Sequence, residues 1–444
     1  MTVAAMFATA TGVNAQNTLY GWGSSSWGAL GNGATFGTVA PPKQIETANW
    51  KLVDGGLGFS VGIQSDGTLW SWGQNGSDYQ LGDGTTTDKT TPKQISTNTD
   101  WKTLSIGVSH TVLIKNDHTL WGFGNGSSGA FGTGTFANLT TPTQIGGGTA
   151  DWEAVSCGNN FTLAIKTDGT LWGWGKNGSK QLGNNSYSDE YNPMQIGTDT
   201  NWKMVAASEK GNSFGIKTDG TLWAWGGNSL GGGAAIGIPT QVGTDNNWKI
   251  VATLDDSHFA IKTDGTLWAW GDNVAGQLGI GSDAYSVTTL TQVGTDDDWE
   301  TVAPGGDMTV MMKKNHTIYG VGQGLLNGLS ASTKVPLQIG TDHSWAAIAM
   351  GSTQGFALKS SGTTGIADAI NKNSFSVYPN PNTGKFYLSA SDVLKGKIVF
   401  ITDMSGTPIS SFEITGKTTE VTGTLPSGVY FLKSDNTVIK IIVE

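Results

Sequence analysis

Apolar and polar residues alternate in short runs along most of the chain, and the runs come in four kinds. The first opens on tryptophan, as in Trp101-Lys-Thr-Leu-Ser-Ile, and the second ends on lysine, as in Thr162-Leu-Ala-Ile-Lys166. The third reads Thr-Leu-Trp-x-Trp-Gly, and the fourth is short and ends Gln-Ile or Gln-Val, as in Pro92-Lys-Gln-Ile95. Alternation of this period predicts β-strands, since successive side chains on a strand face opposite ways. Asp-Gly joins the second and third runs at Asp66, Asp168, Asp219 and Asp264. That dipeptide between alternating runs predicts a tight hairpin with a type I′ turn. These aspartates are read as turn residues rather than metal ligands, because backbone geometry already calls for them.

The set of four runs recurs. The threonine that opens the third run stands at 18, 68, 119, 170, 221, 266 and 317, in steps of 50, 51, 51, 51, 45 and 51 residues. A fixed period of this length is the signature of a repeat architecture. Proline marks the fourth run at Pro42, Pro92, Pro142, Pro193, Pro239 and Pro336, with Leu290 breaking the series. A residue without an N–H belongs at the edge of a sheet, so the fourth strand is the outer one. The fold expected is all-β, a seven-bladed β-propeller of four-stranded blades. Six blades begin near Trp50, Trp101, Trp152, Trp202, Trp248 and Trp299. The seventh is assembled from both ends: third and fourth strands from the N-terminal side, first and second strands near Trp345 and Lys359. Pairing them removes the open edges of an unclosed array.

Tryptophan is the main apolar material. Of 18, seven open first strands, ten fill the two positions of the third strand, and Trp27 stands apart. Rings of this size, repeated at framework positions, are read as packing between blades.

These residues resemble the repeat of the regulator of chromosome condensation family, over about residues 18–362. The tail Asp272-Asn-Val-Ala-Gly-Gln277-Leu278-Gly279 carries the likeness furthest, as does Gln181-Leu182-Gly183. The resemblance implies the seven-bladed propeller and leaves function open, because relatives include a chromatin-bound exchange factor, a plant UV-B receptor and a secreted bacterial β-lactamase inhibitor. The histidine usual in that family after the first strand survives only as His110; the other blades hold Phe59, Phe161, Asn212, Ser257, Met308 and Gln354 there.

The two ends differ from the repeats. Residues 1–15 are small and apolar, and Val13-Asn14-Ala15 before Gln16 resembles a signal-peptidase site, cleaved between Ala15 and Gln16. The propeller is expected over 16–362 and a Ser/Gly/Thr-rich linker over 363–373. Over 374–444 tryptophan disappears and short strand-like runs predict a small β-sandwich. Tyr378-Pro-Asn-Pro and Ser427-Gly-Val-Tyr430 resemble the C-terminal sorting domain of the type IX secretion system, which implies that machinery as a partner and a secreted or outer-surface location. No apolar run is long enough to span a bilayer.

Composition narrows the function. The net charge is −10, and every basic residue is lysine. Nucleic-acid binding needs a basic surface and arginine for base and minor-groove contacts, so it is excluded. The single Cys157 allows no internal disulfide. The histidines have no recognised ligand spacing, and Asp296-Asp297-Asp298 reads as a solvated turn, so no metal, cofactor or catalytic constellation is expected.

Alternating strand direction puts the uniform Asp-Gly turns on one face and the divergent loops on the other. Function concentrates on variable loops held by a rigid scaffold. The binding residues expected there are Phe59, His110, Asn159, Asn160, Glu209, Lys210, Asp255, Asp256 and Asp307. The expected function is a secreted or cell-surface, monomeric, non-catalytic binding protein with an extracellular protein or glycan as partner. The alternatives are a polysaccharide-active enzyme using Glu209, Asp255, Asp256 and Asp307 near the channel mouth, and a secreted protein inhibitor.

Overall fold

A computed structural model describes residues 16–229, 234–326, 328–361, 375–378, 385–390, 395–403, 407–415, 418–422, 425–434 and 437–443. The expected signal cleavage site and linker lie outside them. The chain divides into two compact units, Met1–Ser361 and Gly362–Glu444.

The first unit is a propeller. Five blades are separate four-stranded sheets, each in chain order from centre to edge, and two more share one strand. That strand, Thr38–Gly55, is the outer edge of the closing blade and then the innermost strand of blade one. The closing blade runs Trp345–Met350, Gln354–Ser361, Gln16–Ser24 and then Thr38–Gly55. Its seam pairs the two ends of the unit antiparallel and without a slip, Gln16 opposite Ser361, Leu19 opposite Leu358 and Gly23 opposite Gln354. The seven innermost strands touch in sequence around a complete ring.

Second strands are buried along nearly their whole length, as in Phe161–Lys166, because a blade interior is covered by a neighbour on each face. The polar positions of the alternating pattern therefore point into the preceding blade, where they need partners. At three junctions they find them on a single carbonyl. Ala29 O accepts from Ser60 Oγ at 3.0 Å and Trp72 Nε1 at 2.9 Å. Ala130 O accepts from Thr162 Oγ1 and Trp174 Nε1, both at 2.9 Å. Gln181 O accepts from Ser213 Oγ at 2.8 Å and Trp225 Nε1 at 2.9 Å. The Gln181-Leu182-Gly183 motif thus builds the junction: Leu182 is buried, and Gly183 at φ +67° lies against Trp225 and Pro239 of the next blade.

On the uniform face each second-strand lysine sits between two aromatic rings. Lys217 Nζ lies 4.8 Å from the Trp202 centroid and 3.6 Å from that of Trp223, and pairs with Asp199 at 2.8 Å. Lys115, Lys166, Lys262, Lys313 and Lys359 repeat the arrangement. A cation over a ring face is worth about 0.5–2 kcal/mol. The Asp296-Asp297-Asp298 turn belongs to this series, with Asp296 and Asp298 holding Lys313 at 2.8 and 2.9 Å.

The Asp-Gly turns differ from the expected type I′. Only the glycine has positive φ, +87° at Gly67 and +91° at Gly265. Gly67 N–H donates to Gln64 O and Gln64 N–H to Thr68 O, the pattern of a type I turn followed by a left-handed bulge residue. Aspartate is used for its side chain instead: Asp66 Oδ1 accepts from Thr68 N at 2.9 Å and Thr68 Oγ1 at 2.6 Å.

The second unit has two sheets, one of Phe375–Tyr378, Lys385–Ala390 and Thr418–Thr422, the other ordered Pro408–Glu413, Ile398–Thr402, Gly428–Ser434 and Thr437–Val443. Val399, Ile401, Ile414 and Leu432 form its buried interior.

Deletion of residues 16–46 removes a middle strand of the closing blade and the buried Leu19, Trp22 and Leu30. At about 2–5 kcal/mol per large buried side chain, it is expected to lower the melting temperature of the propeller by about 10 °C or more. Deletion of 374–444 is expected to leave that temperature nearly unchanged while abolishing export. Thermal melts and cell fractionation of the two truncations check this.

Candidate functional site

The divergent loops meet at the mouth of the central channel. In blade four the turn is Ser208-Glu209-Lys210-Gly211. Gly211, at φ +83°, donates its N–H to Ser208 O at 3.2 Å, which leaves Glu209 at the tip. Blade five turns more tightly, since Leu254 still pairs with Ser257. Asp255 and Asp256 are the whole turn, and Asp255 has φ +48°, uncommon outside glycine. Asn212 clamps the two loops, its Nδ2 donating to Asp256 Oδ1 at 2.7 Å and to Asp255 O at 3.3 Å. The Asp255 carboxylate reaches over Gly306 of blade six, where Oδ2 is 3.8 Å from the position a Cβ would take. Glu209 reaches further, to the closing blade three places round the ring, and accepts from Ser352 Oγ at 3.5 Å. Ser352 is itself anchored, its carbonyl accepting from Gly306 N at 3.0 Å.

Bringing these carboxylates together out of water is unfavourable for their charged forms. Burial pushes Glu209 up to about 7, and the neighbouring Asp255 adds to it. Asp255 is also raised, first by burial; nearby Lys210 opposes this, while Asp256, Asp307 and Asp272 reinforce it. Asp272 is raised by burial and by Asp256, against a hydrogen bond from Gln277. The mouth is thus a pocket of negative potential that an arriving cationic group would relieve. Glu209 in addition can take up or release a proton near neutral pH. Among the described residues no three His, Cys, Asp or Glu side chains are grouped to hold a metal ion.

Of the residues expected to bind, Glu209, Asp255 and Asp256 converge here, with Lys210 and Asp307 exposed beside them. Asn159 and Asn160 are half-buried at the tip of blade three. Phe59 and His110 are fully buried and unavailable to a partner, because the loop position they occupy is the first residue of a covered strand. His110 meets Thr162 Oγ1 at 3.3 Å and the edge of Phe131, and burial lowers it to about 4, so the ring is neutral. Cys157 is buried, and its thiol is pushed up to about 12, which makes it unreactive. Ser352 and Asp272 join the site without having been singled out. Nothing local marks Ser352; its partner is 143 residues away in the chain.

Sequence comparison places the framework. Residues 66–114, 117–165, 168–212 and 264–312 match the regulator of chromosome condensation (RCC1) repeat, and 152–181 match a second description of it. The propeller carries RCC1 repeats within residues 66–312. Residues 376–444 match a secretion system C-terminal sorting domain, so the chain carries an export signal of the type IX system for delivery to the cell surface or beyond. The ultraviolet-B receptor UVR8 of Arabidopsis thaliana is 28% identical over 222 residues, 48% of this chain and 50% of that protein. The E3 ubiquitin-protein ligase HERC2 of Homo sapiens is 26% identical over 223 residues, 47% of this chain and 5% of the ligase. The chain thus spans half or less of these relatives. Among solved structures, Prp20p from Saccharomyces cerevisiae superposes with a TM-score of 0.70 at 18% identity, covering 80% of this chain and 93% of that one. Human WBSCR16 gives 0.68 at 18% identity, covering 78% and 99%. At these identities the likeness establishes the fold alone. The propeller fold is shared with these two structures, whereas the carboxylate mouth is read from this chain's own loops.

The raised pKa of Glu209 sets a pH dependence. The folded chain holds this proton more tightly than the unfolded chain, so the associated stability is full below the ordinary glutamate range and is lost as pH rises through about 7. Glu209→Gln keeps the shape without titrating. The variant is expected to melt above the native protein at about pH 8, with the gap closing at about pH 4, as checked by paired thermal melts.

Proposed function

We propose that this protein is a non-catalytic binding protein of the cell surface or extracellular medium, and that the acidic channel mouth is its partner-facing site. The observation that carries the reading is the convergence of Glu209 and Asp255, from different blades, in a half-buried cluster of like charge. The propeller framework has no use for such a cluster: blades one to three have Gly56-Leu57-Gly58, Gly107-Val108-Ser109 and Gly158-Asn159-Asn160 in the equivalent loops. Charge gathered at a stability cost in a concave site is characteristic of function. The complementary partner presents an ammonium or guanidinium group, as on a lysine- or arginine-bearing protein surface, and its entry relieves the repulsion. The sorting domain supports an extracellular partner.

A second reading has its own support. Glu209 near neutrality beside a second carboxylate is the arrangement of an acid–base pair, as in glycoside hydrolysis.

One pair of assays separates them. Immobilised full-length protein is expected to capture a discrete extracellular partner, with affinity reduced about tenfold or more in Glu209→Gln/Asp255→Asn, the scale of truncating a desolvated charge pair. Reducing-end release from polysaccharides is expected to stay at background. Turnover that the same substitution abolishes would favour the enzyme and overturn the binding-only reading.

A further inference from the structure

The long loops between third and fourth strands carry aromatic residues that the framework does not use. In blade two, Phe131 is buried in the junction with blade three, but Phe136 in the same loop is 57% exposed. In blade three Tyr187 is 64% exposed and Tyr191, at the start of the outer strand, 41%. These loops are closed in the same way in blades one, two and three, by a side chain that accepts from a backbone N–H at the loop's start: Asp88 for Asn75, Asn138 for Gly126 and Asp189 for Asn177. Two residues before that capping side chain stand Thr86, Phe136 and Tyr187. Since threonine serves blade one there, the loop itself does not require a ring.

The two aromatic loops lie on neighbouring blades and their rings meet. Loop 125–138 leans onto the outer strand of blade three, with Gly134 N–H donating to Tyr191 O at 2.8 Å. Gly129, at φ +75°, lets the chain come against Tyr191. Phe136 and Tyr191 then stand edge to face, centroids 4.8 Å apart, and Tyr187 follows four residues before Tyr191 with Lys180 Nζ 4.6 Å over its ring. The result is an exposed edge-to-face pair, with a third exposed ring, Tyr187, in the loop that leads into Tyr191; Thr135, Ser188 and Asn192 adjoin the three rings in sequence.

We propose that these exposed rings form a stacking site for a neutral polysaccharide, which names a ligand class for the variable face and rests on the reading of that face as the binding surface. The negative face of an aromatic ring favours the weakly positive C–H face of a pyranose, and hydroxyl and amide groups beside it match the sugar hydroxyls. Nucleic acid, which also stacks on rings, needs a cationic track, and this chain has net charge −10 and no arginine. An anionic glycan meets the same obstacle. A protein partner calls for a continuous apolar centre with arginine and tryptophan anchors, whereas these rings are set among polar residues.

Sedimentation of the full-length protein with cellulose, chitin and starch, with alginate as the anionic control, tests this. Retention on at least one neutral polysaccharide and none on alginate is expected. Both Phe136→Ala/Tyr187→Ala/Tyr191→Ala and the matching triple Leu variant are expected to lose about tenfold or more in affinity at unchanged melting temperature, because leucine keeps the apolar bulk and loses the flat face. Failure of the native protein to bind any neutral polysaccharide, equal binding to alginate, or full binding by the Leu variant would overturn the proposal. If the acidic mouth still captured its partner in that case, the binding function would stand and only the saccharide assignment would fall.

Discussion

Three of the blade junctions depend on a single backbone carbonyl each. Ala29, Ala130 and Gln181 each offer one oxygen that accepts both a second-strand hydroxyl and a third-strand indole from the next blade. All the donors are buried, so each is worth about 1 kcal/mol when made and costs about 1–3 kcal/mol when lost. The indoles add the apolar area that holds the blades together, and the hydrogen bond fixes where each indole lies. Packing alone would tolerate a blade that slides on its neighbour. Two donors on one acceptor do not.

Rigidity of this kind explains how a mouth of like charges persists. Glu209 and Ser352 belong to blades three places apart, and their approach is set by the closure of the ring, in which strand Gln16–Ser24 completes the last blade. The Ala29 carbonyl lies in the closing blade and its donors in blade one, so these two blades are latched together as blades two and three and blades three and four are. Repulsion between Glu209 and Asp255 is thereby borne by the whole framework, and the loops need no stabilising contacts beyond the Asn212 clamp and their own turns. The uniform face takes the opposite course. There each second-strand lysine is paired with an aspartate and covered by two rings.

What the sequence made legible was whatever is local and repeated. The spacing of the threonines, the prolines of the outer strands and the split last blade follow from strand chemistry that acts over a few residues, and the sheets carry them out. The turn type is not legible in the dipeptide because Asp-Gly serves two hairpin geometries, and the deciding factor is the Asp66–Thr68 side-chain bond. The position of Phe59 and His110 before a strand points to the binding surface; the neighbouring blade covers that position, a tertiary fact. The lysine sandwiches needed three residues from different strands to be brought together. Glu209, Asp255 and Asp256 were visible as divergent loop residues, but Ser352 and the raised proton affinity of Glu209 exist only once the ring is shut.

Closure is therefore the claim on which both the fold and the site rest, and exchange of the backbone amide protons along the seam reports it directly. The seam joins Gln16–Ser24 to Gln354–Ser361, while Phe161–Lys166 and Leu171–Gly175 pair inside an interior blade. By hydrogen-exchange NMR on the full-length protein, the amide protons of the seam are expected to exchange as slowly as those that join the two interior strands, since both open only with the ring. Rapid exchange along the seam with protection retained in the interior blade would show that the seam opens independently, and would contradict this account.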